Sequence, residues 1–339
     1  MNSEKDILRT APGTMADIKM KSLNKSFHLT GLANGFVSGL TYAIYSTLVV
    51  VATGYDPLAS AAGILAAPFV CSGLNDFLAG IWLLIYNAKQ GRLRELGRTL
   101  RTKPGIMLVI GFLLGGPIAN GAYLVGLGLA GAYAIPISAT CSLFGAIFSW
   151  IFLKQRPTKR VVGGMVMCVA GAIIINFVKP EGAPNFTLGV IFALVAAIAW
   201  GAEGVFSSFG GAMIDTDVAV NLRELISGLV VLIAVLPFIS GGIKLLGGTL
   251  VAGISVAWLA IAGLSAAISF VCWYKANSTV GTAVGMSLNV TYAFWGVLFS
   301  VIFLGQTMTP TIIIGSIVIV FGAILVTMNP LDLFKHGEE

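Results

Sequence analysis

Four ionisable side chains lie inside apolar runs of this chain: Asp76, Glu203, Arg223 and Glu224. Placing such a group in the middle of a membrane helix costs roughly 2.5–3.5 kcal/mol, so each one needs a physical reason to be there. Glu203 follows Trp200 by three residues in Trp200-Gly201-Ala202-Glu203-Gly204-Val205-Phe206-Ser207. Residues three and four apart share a helix face, so carboxylate and indole are predicted to look into one space. A carboxylate beside aromatic faces holds a desolvated organic cation, each cation–π contact adding about 0.5–2 kcal/mol. A protonated glutamic acid bonded between helices is the structural alternative.

Other stripes at helical spacing offer partners for that space. Tyr42 and Tyr45 share a face with Ser38 and Ser46. Asn289, Tyr292 and Gly296 share another, with Trp295 at its edge. Tyr123 pairs with Asn120, and Ser138, Cys141, Ser142 and Gly145 form a small polar stripe. Together they predict one central cavity. Asp76 and Glu224 fit three roles equally: gate, proton site, or half of an ion pair. Arg223 diverges from Glu224 by about 100° around a helix, so its expected partner is a carboxylate on another span, Asp76 or Glu203. Pro117 and Pro136 also fall inside apolar runs, where a missing N–H can shape a site or simply adjust packing.

The elements that must position these residues are membrane helices. The chain has 339 residues, is 57% apolar and only 10% charged, and contains 42 glycines. Soluble domains carry about 25% charged residues, so lipid must be the solvent for most of this surface. Ten spans are predicted, over 31–53, 60–86, 105–128, 132–153, 161–178, 187–212, 218–239, 253–274, 282–304 and 311–328, each close to the roughly 20 residues that cross a bilayer. Connections are short except at 87–104 and 240–252.

The net charge of +6 reports orientation, and binding to nucleic acid is not expected. Lys5, Arg9, Lys19, Lys21 and Lys25 precede the first span. Lys89, Arg92, Arg94, Arg98, Arg101 and Lys103 lie between spans two and three, and Lys154, Arg156, Lys159 and Arg160 between four and five. With Lys335 these fall on one side of a ten-span chain, and the other side's loops hold only Lys179 and Lys244. This positive-inside bias predicts an inner-membrane protein with both termini cytoplasmic, residues 1–30 and 329–339 being tails. The N-terminal stretch has no apolar run of its own, so no cleaved signal peptide is expected.

The ten spans read as two copies of a five-helix unit, 31–178 and 179–328. Phe148-Ser149-Trp150-Ile151-Phe152-Leu153-Lys154-Gln155 returns as Phe299-Ser300-Val301-Ile302-Phe303-Leu304-Gly305-Gln306. Leu74-Asn75-Asp76-Phe77-Leu78-Ala79-Gly80 parallels Leu222-Arg223-Glu224-Leu225-Ile226-Ser227-Gly228, and Tyr42-Ala43-Ile44-Tyr45 parallels Trp200-Gly201-Ala202-Glu203. An odd number of spans per copy would invert one copy relative to the other. Inverted repeats are typical of secondary transporters, which bind substrate at mid-membrane between the halves.

On these segments, and on 163–175 against 315–326, the chain resembles the drug/metabolite transporter superfamily, in particular its ten-helix members with paired EamA-type repeats. The resemblance covers residues 31–328. It implies that spans one to four and six to nine surround a central cavity, with spans five and ten peripheral. It also sets Glu203 beside the membrane-embedded glutamate with which the small multidrug exporters of that superfamily bind cationic drugs and protons. Trp200–Ser208, Asn221-Leu222-Arg223-Glu224 and Leu288-Asn289-Val290-Thr291-Tyr292 are further similar to the choline-permease branch, which implies a quaternary ammonium substrate.

The expected function is therefore alternating-access transport of a small organic cation, choline or a related amine. Glu203, Trp200, Tyr42, Tyr45, Tyr292, Trp295, Asn289 and Tyr123 would bind it, and Asp76, Glu224 and Arg223 would gate or couple, with proton or ion coupling a further expectation. A carrier or exporter of amino acids or other zwitterionic metabolites is the nearest competitor, because Arg223 would suit a carboxylate. A membrane scaffold without cargo is the competitor from another class. No catalytic constellation, metal-ligand cluster or cofactor motif can be assembled. Gly126-Leu127-Gly128-Leu129-Ala130-Gly131 matches a dinucleotide fingerprint in letters only, lacking the preceding strand. Gly31-Gly35-Gly39 and Gly111-Gly115 have packing spacing that suits internal contacts or a homodimer.

Overall fold

The computed structural model describes residues 15–61, 65–130, 134–175, 185–304 and 309–327, and these are helical with no strand among them. In hydrocarbon every backbone N–H and C=O must be satisfied within its own segment, which leaves apolar runs of this length one stable choice. Among the described residues, seven stretches are long and apolar enough to cross a membrane: Leu23–Thr53, Ala66–Lys89, Lys103–Ala130, Phe186–Gly210, Thr216–Phe238, Ile254–Val280 and Thr282–Phe303. The other three predicted spans are shorter helices over 134–153, 159–175 and 310–327.

In chain order, α1 is Met15–Thr53 and α2 is Ala66–Lys89, followed by the short α3 at Leu93–Thr99. The third span is continuous but changes pitch: α4 at Lys103–Leu113, a π-helical stretch at Leu114–Asn120 containing Pro117, then α5 at Gly121–Ala130. The fourth is α6 at Ala134–Ala139 and α7 at Cys141–Leu153, separated at Thr140. Then come α8 at Lys159–Ile175, α9 at Phe186–Gly210 and α10 at Thr216–Val230, which runs through a π turn to Phe238. The second half ends with α11 at Gly242–Ala252, α12 at Ile254–Val280, α13 at Thr282–Asn289, α14 at Tyr292–Leu304 and α15 at Pro310–Thr327.

Local chemistry sets several of these boundaries. Asn185 accepts from the Leu188 N–H at the start of α9, and Asp215 accepts from the Asp217 and Val218 N–H groups at the start of α10. Thr102 caps α4 in the same way, with proline in its first turn. Helical structure also extends beyond the predicted spans. The long connection predicted at 240–252 is mostly the helix α11, which at eleven residues is too short to span. The predicted tail before residue 31 is helical from Met15, because α1 simply continues.

The two halves pack on each other reciprocally. On α2 and α10, a Cβ at Gly80 would meet Leu225, while one at Gly228 would meet Phe77. In the internal alignment Gly80 corresponds to Gly228, and Phe77 to Leu225. On α8 and α15, Gly171 lies against the Gly315 carbonyl and Gly322 against that of Gly164, again with corresponding residues exchanged. Such exchanged contacts are what a two-fold relation between like surfaces produces. The α5 and α7 segments pack on α9, and α12 and α14 pack on α1 in the corresponding way.

Lipid-facing positions follow the repeat as well. Phe152 and Phe303, equivalent in the alignment, are each 70% exposed. By contrast, the glycines at 31, 35 and 39 press on α12–α14, and Gly111 presses on Phe206. Both small-residue stripes are thus used for internal packing, and a homodimer would need another surface.

Candidate functional site

A cavity of about 820 Å³ lies between α1, α2, the third span, α9, α12 and α14. Its wall runs from Tyr42 at mid-helix to Thr53 at the end of α1, and includes Pro68 near the start of α2 and Thr311 at the start of α15. The space therefore reaches one end of the bundle, the end carrying the α1–α2 connection.

Tyrosines form its inner part. Tyr42 sits edge-on to Tyr45 with ring centroids 4.6 Å apart and lies 4.5 Å from Tyr292. Across the space, Tyr123 and Trp200 are 5.4 Å apart, and the Trp200 indole donates to the Gly115 carbonyl at 3.0 Å. That bond fixes the indole on the π-helical stretch of the third span. Phe270 of α12 closes the ring beside Tyr45, at 6.5 Å. Aromatic faces carry partial negative charge, so this enclosure attracts cations.

Among the described residues, Asp76 is the one carboxylate on this wall. Ser227 donates to its Oδ2 at 2.6 Å and Asn75 to its Oδ1 at 3.4 Å. Asn120 lines the wall near it.

Glu203 lies elsewhere. It is fully buried and absent from the cavity wall. Arg223 donates to it through Nε at 2.9 Å and through Nη2 at 3.5 Å, and the Tyr274 hydroxyl donates at 3.0 Å. Arg223 also reaches Glu224 through Nη1 at 2.7 Å, because its long side chain spans the angle that separates neighbouring positions on a helix. Its guanidinium carbon stacks 3.8 Å from the centre of the Phe270 ring. Glu224 Oε2 has no hydrogen-bond partner among the described residues. With Asp76 nearby, three carboxylates face one guanidinium, so with all of them ionised the cluster is net negative and a single added proton or monovalent cation offsets only part of that charge.

Gly115 and Gly116 let the third span approach this cluster. A Cβ at Gly115 would overlap the Glu203 carboxylate, and one at Gly116 would meet the Ser227 hydroxyl that holds Asp76.

The opposite end of the bundle is tied by polar contacts, some between the halves and some within the second. Arg92 meets Asp215 at 3.1 Å and Asp217 at 3.2 Å, and Lys275 meets Asp217 at 2.9 Å. Asn87 donates to the Asp217 carbonyl. Next to these ion pairs, Gln155 joins Ser208 and the Thr282 N–H, while Asn277 donates to Ser207.

Of the residues the sequence singled out, Tyr42, Tyr45, Tyr123, Trp200, Tyr292 and Asp76 share the cavity wall, while Glu203, Arg223 and Glu224 form the buried cluster behind it. Asn289 instead donates to Ser38 at 2.6 Å, joining α13 to α1, and Trp295 packs against Phe294 off the wall. Phe270, Tyr274, Asn75 and Ser227 were not singled out. Phe270 and Tyr274 are four apart on α12, and Asn221, Glu224 and Ser227 recur every three residues on α10, so helical spacing was the available signal.

A family model described as the EamA-like transporter family matches the chain twice, over residues 29–177 and 187–328. The chain belongs to the EamA-like transporter family. The two matches coincide with the two halves of the internal alignment, and membership makes the chain a membrane transporter rather than an enzyme. Among curated relatives, Protein LicB of Haemophilus influenzae is 26% identical over 232 residues, covering 67% of this chain and 75% of LicB. A solved protein crystal structure superposes with a TM-score of 0.66 at 20% identity, covering 88% of this chain and 97% of that one. This likeness shows a shared fold.

Proposed function

We propose that the cavity binds a small organic cation, choline or a related quaternary amine, and carries it across the inner membrane by alternating access. The observation that carries this reading is the wall itself: Tyr42, Tyr45, Tyr123, Trp200 and Tyr292 around the Asp76 carboxylate. A quaternary ammonium has no N–H to donate, so aromatic faces and a nearby negative charge are what recognise it. Asp76 makes the direct contact. Glu203 and Glu224 act from behind, keeping the cluster net negative around Arg223.

In this reading the chain has ten spans in two inverted five-helix repeats, with both termini cytoplasmic. The cavity then faces outward, and Arg92, Asp215, Asp217 and Lys275 close the cytoplasmic end. When the substrate leaves, a proton or small cation takes its place at Asp76, which couples transport to an ion gradient. The similarity of Trp200–Ser208, Asn221–Glu224 and Leu288–Tyr292 to the choline-permease branch supports the same substrate class.

The test is thermal stabilisation of the detergent-purified protein by choline, betaine, guanidinium, aromatic cations and amino acids, followed by uptake into proteoliposomes. Ligands that bind only the folded state raise its apparent stability by mass action. Stabilisation by choline-like cations and saturable choline uptake are expected. Stabilisation by amino acids alone would replace this reading with a zwitterion carrier.

A further inference from the structure

We infer that Phe270 is a specificity-determining screen: its ring separates the Arg223 guanidinium from the cavity, so that a bound solute meets the Asp76 carboxylate and not the arginine. The inference rests on reading the cavity as the transport site.

The geometry is direct. Phe270 is on the cavity wall and Arg223 is not. Arg223 is fully buried although it stacks on a wall residue, with its guanidinium carbon 3.8 Å from the ring centre. One surface of a single side chain thus touches solute space while the same ring covers the only cation of the buried cluster. Glu203 and Glu224 engage three of the five guanidinium N–H groups. The other two are the donors that a solute carboxylate would seek.

Bidentate arginine–carboxylate recognition needs N–H groups within direct reach of the oxygens. An intervening aromatic ring prevents that contact without removing the positive charge the two glutamates require. The ring is also a poor cation site itself, since its quadrupole is already engaged by Arg223. Phe270 therefore contributes discrimination against carboxylates, while the tyrosines and Trp200 supply attraction for the ammonium group.

The experiment compares choline with glycine betaine, which carry the same trimethylammonium head and differ in the carboxylate. Affinities of the wild type and of Phe270→Ala are measured by calorimetry on the purified full-length protein. Loss of an aromatic contact weakens both ligands together and cancels in their ratio. Phe270→Ala is expected to raise the betaine-to-choline affinity ratio at least ten-fold, and Phe270→Tyr to leave it unchanged. An unchanged ratio in folded Phe270→Ala overturns the screen. If the alanine variant does not fold, Phe270→Val is read in its place.

A ligand-free readout separates this from failure of the cation reading. Phenylglyoxal should leave Arg223 unmodified in the wild type and modify it in Phe270→Ala, as located by mass spectrometry. If neither choline nor betaine binds the wild type, the cation reading falls and the screen is decided by that modification. Protection of Arg223 after the ring is removed overturns it.

Discussion

Glu203 lies against Gly115 so closely that a single added methyl group would occupy the place of its carboxylate. One turn earlier on the same helix, Trp200 bonds the Gly115 carbonyl. The third span and α9 are therefore joined at one residue that fixes both an aromatic wall element and the anchor of Arg223. Gly115→Ala must displace Glu203 from Arg223 or push the helices apart. Separating a buried ion pair costs on the order of 3–5 kcal/mol. We expect a lower apparent Tm in detergent and loss of choline stabilisation, checked by a thermal melt with and without ligand.

Asp76 and Glu203 should be separable by substitution. Glu203→Gln leaves Arg223 with Glu224 as its one fully buried ionic partner, so both stability and binding should fall. Asp76→Asn removes a charge bonded by the neutral donors Ser227 and Asn75. It should lower choline affinity about ten-fold, roughly 1.4 kcal/mol, with little change in Tm. Normal binding and uptake by both variants would remove the carboxylates from the mechanism.

Tyr42 touches two other wall rings, Tyr45 and Tyr292. Tyr42→Ala should weaken choline binding by about 1–2 kcal/mol, whereas Tyr42→Phe keeps the π face and most of the affinity. Calorimetric affinities for the two variants check this, and equal losses would assign the hydroxyl the main role.

At the closed end, Arg92 bridges Asp215 and Asp217 while Lys275 holds Asp217 from α12. These pairs are partly exposed, and each is worth about 0.2–1 kcal/mol. An Arg92→Ala/Lys275→Ala variant should shift the balance between the two access states by up to about ten-fold. The readout is thiol labelling of a cysteine introduced at Gln155, which should speed up as that end opens. Unchanged labelling would show that the ion pairs do not hold the end shut.

The site was only partly legible in the sequence. Helical spacing correctly grouped Tyr42 with Tyr45, and Trp200 shares its turn with Glu203 in contacting Gly115. Yet Trp200 reaches the cavity and Glu203 does not, because three residues on a helix differ by about 60° in direction and a glycine opposite leaves room for one side chain to tuck behind the wall. Periodicity names a face, and only the neighbouring helix decides what that face meets. Phe270 illustrates the limit further: one phenylalanine among 20 carries no mark of stacking on an arginine from another span.

The chain itself determined what depends on runs and counts along the polymer. Long apolar stretches with few charges dictate membrane helices, because an unpaired backbone in lipid is too costly. The recurrence of Asn75-Asp76-Phe77 as Arg223-Glu224-Leu225 marks two related halves, and the exchanged glycine contacts of α2 with α10 follow from that likeness. Tertiary structure alone decided which carboxylate faces the cavity. That choice turns on the rotation of each helix about its axis, which is set by the side chains and glycines of helices far away in sequence. By this route Asp76 came to the wall, while Glu203 and Glu224 were drawn to Arg223.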